Sequence, residues 1–289
     1  ADAQAQGADT IVTHGTIQSN HACQTAAAAA KLGLGCHILL EERSGVVKDS
    51  YALSGNALLN HLHGACVSKF EPSADISAEI ACLANQLIQD GKTPYIIPTG
   101  GSDCVGALGY VNCARELAEQ AADFGLEIDA LVHATDSAGT QAGLLVGLAA
   151  IQSDIHLLGI GVRAAQDQQE QLVFNLAHRT AQHLGTGVKI ARKDVHVNCG
   201  YVGAGYGLPS DGMVRSIKLL AQTEGLLFDP VYSGKGLDGL ITLVKQGYFA
   251  GMNNVIFLHT GGTAALFGYP EIYDLPGYSH SKTIKNITN

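Results

Sequence analysis

Two short stretches gather small polar residues where a helix is about to begin. In "HGTIQSNHACQTAAAAAKLG", residues 14–33, Ser19, Asn20 and His21 head an alanine-rich run. In "HATDSAGTQAG", residues 133–143, Thr135, Ser137, Ala138, Gly139 and Thr140 lie between an apolar run and a helical pattern. The first N–H groups of a helix lack backbone partners and carry partial positive charge, so a small-residue turn there can hold an anion without a lysine. Any one hydroxyl in such a place is also an ordinary cap. Several in one glycine-containing loop favour anion binding at 137–140, and a phosphate fits it. Two more loops, "DPVYSGKG" (229–236) and "FLHTGGTAALFGY" (257–269), follow apolar stretches, although a Gly-Gly pair also reads as a plain turn. His14, His21 and His133 are each open to a capping or core reading, which is the one favoured for His133.

The elements that must position these residues follow from hydrophobic patterning. Short apolar runs ("TIVTHG", "CHILLE", "CVSKF", "PYIIP", "ALVHAT", "IHLLGIGV", "KDVHVN", "NVIFLHTGG") read as strands. "HACQTAAAAAKLG", "YALSGNALLNHLHGA", "DISAEIACLANQLIQDG", "GTQAGLLVGLAAI", residues 167–184, "GMVRSIKLLAQTEG" and "GLDGLITLVKQG" read as helices. Alternation of this kind predicts an α/β fold with largely parallel sheets and ligands at the carboxyl ends of strands. The glycine-rich "IPTGGSDCVGALGY" reads as a domain junction, which divides the chain into residues 1–105 and 106–289. "ADAQAQGADT" reads as the last turns of a helix closed by Gly7.

Composition narrows the function classes. Of 289 residues 46% are hydrophobic, ample for a core, and the net charge of −9 with 17 scattered basic residues excludes a nucleic-acid surface. No apolar run is long enough to span a membrane, and no signal peptide is visible. The seven cysteines show no CxxC and no spacing with His that suits a metal; they read as reduced thiols of a cytoplasmic protein. GxGxxG, GxxxxGK[ST] and HExxH are all missing, so neither a Rossmann nucleotide site, a Walker loop nor a metal centre has support.

The ordered stretches "IQSNHACQTAAAAAKLGL", "IPTGGSDCVGALGYVN", "SAGTQAGLLVGL", "GYGLP", "DPVYSGKG" and "HTGGTAALFGY" resemble the pyridoxal-phosphate (PLP) enzymes of the aminocyclopropane-carboxylate (ACC) deaminase and D-cysteine desulfhydrase family. The resemblance covers essentially the whole chain. It implies a tryptophan-synthase-β-like fold (PLP fold type II), with two open α/β domains: a small one over 1–105 and a large PLP-binding one over 106–289. Within the family, "CHILLEERSG", "NHLHGA", "GALGYVNCA", "VHATDSAGTQAG" and "LLGIGVRA" are most similar to L-cysteate sulfo-lyase, which yields pyruvate, sulfite and ammonium. By the same resemblance Ser137, Ala138, Gly139 and Thr140 would cradle the phosphate, Asn20 the ring hydroxyl, and Ser233 the pyridine nitrogen. A hydroxyl at that nitrogen is expected to leave the ring unprotonated, a weaker electron sink suited to prompt β-elimination. Ser19, Asn20 and His21 would meet the substrate carboxylate with donors at the helix start. Tyr206 and Tyr232 would flank the substrate or ring, and Ser19, Tyr206 and Tyr232 are the candidate catalytic residues. A homodimer is usual for such enzymes.

Three departures matter. The Schiff-base lysine lies in a "GGNK" segment in the family, and no lysine here occupies an equivalent motif; Lys31 falls inside a helix and Lys235 after Ser233. The expectation is a fragment that lacks the N-terminal part of the family sequence, with a non-catalytic relative that binds an anionic ligand as the alternative. Cys23 replaces a common arginine, and Asp136 replaces a common glycine. Like charges about 4 Å apart at an effective dielectric of about 20 repel by several kcal/mol, so Asp136 must turn away, pair with a base or weaken cofactor binding. The expected activity is β-elimination of sulfite from L-cysteate, with D-cysteine desulfhydration, which releases sulfide, as runner-up. A sulfonate leaving group calls for a cation, for which Arg163 is the candidate, although it reads equally as a surface arginine after a strand.

Overall fold

The computed structural model describes residues 1–42, 49–71 and 74–273; residues 43–45 of "CHILLEERSG" lie outside the described residues. A short helix α1 (Asp2–Ala5) leads into β1 (Thr10–Thr16), α2 (Asn20–Leu32) and β2 (Gly35–Glu41). Then come α3 (Asp49–Leu53), α4 (Gly55–Leu62), β3 (Cys66–Phe70), α5 (Ile76–Gln89) and β4 (Pro94–Ile97). The four strands form a parallel sheet in the order β3-β2-β1-β4.

The second half continues with α6 (Cys104–Asp123), β5 (Ala130–Thr135), α7 (Gly139–Ala150), β6 (His156–Gly161), α8 (Gln166–Leu184) and β7 (His196–Asn198). It ends with α9 (Asp211–Thr223), α10 (Ser233–Lys245) and β8 (Val255–Phe257). These strands make a second parallel sheet, β7-β6-β5-β8. β5 is buried along its length: Leu131 packs under α6, α7 and α8, while Ala130 and Val132 pack with Leu243 of α10. Burial on both faces explains its near-continuous apolar sequence.

The structure adds detail to these readings. The second half of the segment read as a junction, from Cys104 on, is the start of the 20-residue helix α6. The glycines of α7 permit close packing against it: a Cβ on Gly143 would stand 2.3 Å from the Ala107 carbonyl oxygen, and one on Gly147 2.6 Å from that of Val111. Glycine here marks helix contact, not a loop. The single helix expected over "YALSGNALLNHLHGA" is two, broken before Gly55 (φ +58°). The Gln18 side chain accounts for the break, because its Nε2 donates to the carbonyls of Tyr51 (2.5 Å) and Ser54 (2.9 Å). The strand in "NVIFLHTGG" shortens to Val255–Phe257, and α10 begins at Ser233, so "YSGKG" is helix start and not loop. All seven cysteines are free thiols.

Candidate active site

A cavity of about 270 Å³ opens between the carboxyl ends of the two sheets. It is lined by Ser19, Asn20, His21, Ser137, Thr140, Tyr206 and Tyr232, together with Gln24, Thr99, Gly100, Tyr110, Asp136 and Thr260. An adjoining cavity of about 430 Å³ shares Ser19, Thr99, Asp136, Ser137 and Tyr206 and adds His14, Glu41, Ser102 and Arg163. Most of the expected site residues therefore converge. Ala138 and Ser233 are buried, 2% and 1% exposed, and neither they nor Gly139 line either cavity. Cys23 is buried in α2, where burial pushes its thiol up; it lines neither cavity.

The turn before α7 is shaped to receive an anion. Ala138 adopts φ +74°, the left-handed region, which turns the chain sharply into α7. Gly139 N donates to Ser102 Oγ (3.2 Å), and Ser102 Oγ donates to Ser137 Oγ (2.7 Å). Ser102 Oγ also lies 3.4 Å from the Gly100 carbonyl, so its one proton is shared between that carbonyl and Ser137 Oγ. A Cβ on Gly139 would sit 2.7 Å from Ser102 Oγ, and one on Gly100 closer still to Ser137 Oγ; side chains at either position would fill the cradle. The Thr99–Gly101 turn is thus part of the site, a contribution that the sequence reading assigned to a junction.

Asn20 is oriented by a buried amide network. Asn56 Nδ2 donates to the Gln18 carbonyl (3.0 Å) and to Asn20 Oδ1 (2.6 Å), while Asn56 N donates to Gln18 Oε1 (2.9 Å). A backbone carbonyl can only accept, so the Asn56 amide cannot be reversed. Asn20 must then turn its oxygen to Asn56 and its Nδ2 away, towards Gly262, where an added Cβ would come within 2.4 Å of it. Gln18 and Asn56 were missed as site residues. Gln18 stood inside a quoted motif, but Asn56 is 36 residues from Asn20 and carried no local signal.

Ser19 caps α2, its Oγ accepting from Ala22 N (3.2 Å). Thr13 Oγ1 donates to the Ile97 carbonyl (2.9 Å), so it must accept from His21 Nε2 (2.8 Å). His21 is then protonated on Nε2, and burial, aided by His14, pulls its pKa down to about 4. Its Nδ1 is then a lone pair, so the donor that His21 can offer a carboxylate is its backbone N–H. His133, as favoured, is a core residue, wholly buried with Nδ1 on the Ala134 carbonyl (2.8 Å).

Arg163 Nε donates to Asp136 Oδ1 at 2.5 Å, so Asp136 meets its like-charge problem by pairing with a base. Burial, and next the Asp136 charge, raise the Tyr206 and Tyr232 phenols above their ordinary range. Both rings are proton donors at neutral pH. Neither is a phenolate base.

Residues 1–261 match the family described as "Pyridoxal-phosphate dependent enzyme". The chain belongs to that family. It is 42% identical over 269 residues to the D-cysteine desulfhydrases of Salmonella choleraesuis and Salmonella paratyphi C, covering 93% of this chain and 81% of theirs. The crystal structure of an ACC deaminase homologue superposes with a TM-score of 0.83 at 32% identity, over 94% of this chain and 79% of that one. O-ureido-L-serine synthase shares the fold at a TM-score of 0.62 and 17% identity, over 97% and 82%. The chain is thus a member of the PLP-dependent carbon–sulfur lyases and deaminases, of fold type II. The cavity fits PLP on its own geometry: the turn that a Cβ on Gly139 would obstruct suits the phosphate, and the fixed Nδ2 of Asn20 suits the ring oxygen.

Proposed function

We propose that this PLP enzyme eliminates sulfite from L-cysteate, leaving pyruvate and ammonium. The observation that carries the reading is Arg163, fixed by Asp136 on the wall of the cavity that Ser19, Ser137 and Tyr206 also line. A departing sulfite is an anion, and a guanidinium with two further nitrogens beyond its Nε can meet two sulfonate oxygens. In this reading Ser137, Gly139 and Thr140 hold the phosphate with Ala138 shaping the turn, Asn20 Nδ2 holds the ring oxygen, and Ser233 lies at the ring nitrogen. Ser19 and the first N–H groups of α2 hold the substrate carboxylate. Tyr206 and Tyr232, kept protonated, flank the reacting carbon and supply protons. Bound PLP supplies the electron sink for loss of the α-proton. A cytoplasmic homodimer belongs to the same reading.

A second reading, D-cysteine desulfhydration, is favoured by the 42% identity to enzymes of that name. A departing sulfide needs a proton more than a cation, and Tyr206 offers one. Holoenzyme supplied separately with L-cysteate and D-cysteine distinguishes them. Sulfite with pyruvate from L-cysteate supports the first reading; sulfide from D-cysteine alone replaces it with the second; neither product removes both.

A further inference from the structure

Lys235 stands where neither burial nor the helix favours a lysine. It lies in the first turn of α10, 0% exposed, at a helix end that is itself positive and has no acidic residue in that turn to offset it. Burial pulls its pKa down to about 8, so the amine still carries its charge at neutral pH. Among the described residues it forms no ion pair. Its Nζ donates instead to two backbone carbonyls, those of Val202 (2.7 Å) and Gly205 (2.6 Å). A carbonyl can only accept and an ammonium can only donate, so the direction of both bonds is fixed.

The segment that receives these bonds joins β7 to α9 and has little of its own to hold it. Within residues 201–209 one backbone bond is present among the described residues, Leu208 N to the Gly205 carbonyl (3.3 Å). Gly203, Gly205 and Gly207 all have positive φ, and Gly203 and Ala204, between the two carbonyls that Lys235 holds, are exposed. A third buried donor acts further on: Tyr269 Oη donates to the Gly207 carbonyl (3.0 Å). Tyr206 stands between the anchors on Gly205 and Gly207 and lines both cavities of the site.

We infer that Lys235 and Tyr269 clamp residues 202–207 from within the protein and so hold the Tyr206 phenol on the cavity wall. This rests on the reading that gives Tyr206 a proton to supply in the elimination. Both are positioning residues: neither lines either cavity, and each grips the backbone on one side of Tyr206. A proton donor works only within hydrogen-bond reach of its target. A loosened segment therefore slows turnover without disturbing the residues that hold the phosphate or the carboxylate. An apolar side chain at 235 would avoid burying a charge, but it would leave both carbonyls ungripped.

The test combines backbone amide order parameters of the holoenzyme, measured by NMR, with steady-state kinetics on whichever of L-cysteate and D-cysteine it turns over. Residues 203–207 are expected at about 0.85 in the wild type and below about 0.6 in Lys235→Met, with α2 and α7 unchanged. Tyr269→Phe gives a smaller fall in the same residues. Lys235→Met lowers kcat about tenfold, less than the full worth of a general acid, and leaves KM as it was. It adds no loss where Tyr206 is already Phe, because the two changes act on one group. Order parameters of 203–207 that keep the wild-type value in either variant, or that fall equally throughout the protein, overturn the clamp; so do kcat losses that multiply in the double variant. If Tyr206→Phe retains the wild-type kcat, or neither substrate is turned over, the proton-donor reading fails while the order parameters still decide the clamp. Should Lys235→Met fail to fold, Tyr269→Phe, alone and with Tyr206→Phe, decides by the same measurements.

Discussion

Arg163 Nε and Asp136 Oδ1 meet at 2.5 Å on the rim of the turn that precedes α7. The pair does two things at once. It neutralises a carboxylate beside an anion site, and it fixes a half-exposed guanidinium against the cavity. Asp136→Gly separates these effects. Removing the carboxylate strengthens competition by inorganic phosphate for the cofactor site several-fold, while the released Arg163 raises KM for L-cysteate. Phosphate affinity equal to or below wild type, read from displacement of PLP absorbance, contradicts the electrostatic account.

Arg163→Met keeps the length of the side chain and removes its charge. KM for L-cysteate rises about tenfold, the equivalent of ~1.4 kcal/mol, with little change for D-cysteine. Steady-state kinetics on both substrates checks this, and equal effects on the two would deny Arg163 a role in choosing the leaving group.

Asn56→Asp replaces a donor by an acceptor of the same size. The Gln18 carbonyl and Asn20 Oδ1 both lose their hydrogen bond and face a negative charge instead. Asn20 must rotate, so PLP affinity falls at least tenfold and stability drops by about 2–4 kcal/mol. Urea denaturation together with PLP titration measures the two effects; wild-type PLP affinity would show that Asn20 is oriented by something else.

His133 is wholly buried with its pKa pulled down to about 4 by burial. The unfolded chain, with a value near 6.5, binds more protons between those limits, so stability falls as pH is lowered from about 6.5 to about 4. The contribution is full above that window and gone below it. His133→Asn keeps a donor for the Ala134 carbonyl without a titrating group. Its stability should fall less steeply from pH 7 to pH 5 than that of the wild type, as measured by urea denaturation at both values.

Gly143→Ala and Gly147→Ala press a methyl group into α6, against Ala107 and Tyr110 or against Val111 and Ala114. Each costs about 1–3 kcal/mol of stability. Because α7 starts at the anion turn, its displacement also weakens PLP binding, which Gly185→Ala, at a helix end with open space around it, does not do. Thermal melts and PLP titration of the three variants make the comparison.

The legible parts of this fold were the local ones. Ser19 and Asn20 precede an alanine run and Ser137–Thr140 separate a strand from a helix, so chain-neighbour chemistry announced both ends of the cavity. The α6 helix escaped because the glycine-rich "IPTGGSDCVGALGY" read as a domain junction, and the glycines that press on the helix, Gly143 and Gly147, belong to α7. Asn56, which orients Asn20, and Ser102, which supports Ser137, act over 36 and 35 residues and leave no periodic trace. The His21 tautomer depends on the Ile97 carbonyl, 84 residues from Thr13, and no reading of "SNH" alone could supply it.

The short turn over Thr263–Gly268 carries Ala265 to a place beside Ile17, Tyr51 and Ala57, and Tyr269 after it stacks edge-on against Tyr51 with ring centres 5.3 Å apart. The apolar cluster under the first sheet is therefore finished by residues translated more than 150 positions after that sheet's last strand. A nascent chain leaving the ribosome would hold its N-terminal half with this seat vacant, while the second sheet can close on its own sequence. Vectorial synthesis then implies that the half made first is the half consolidated last.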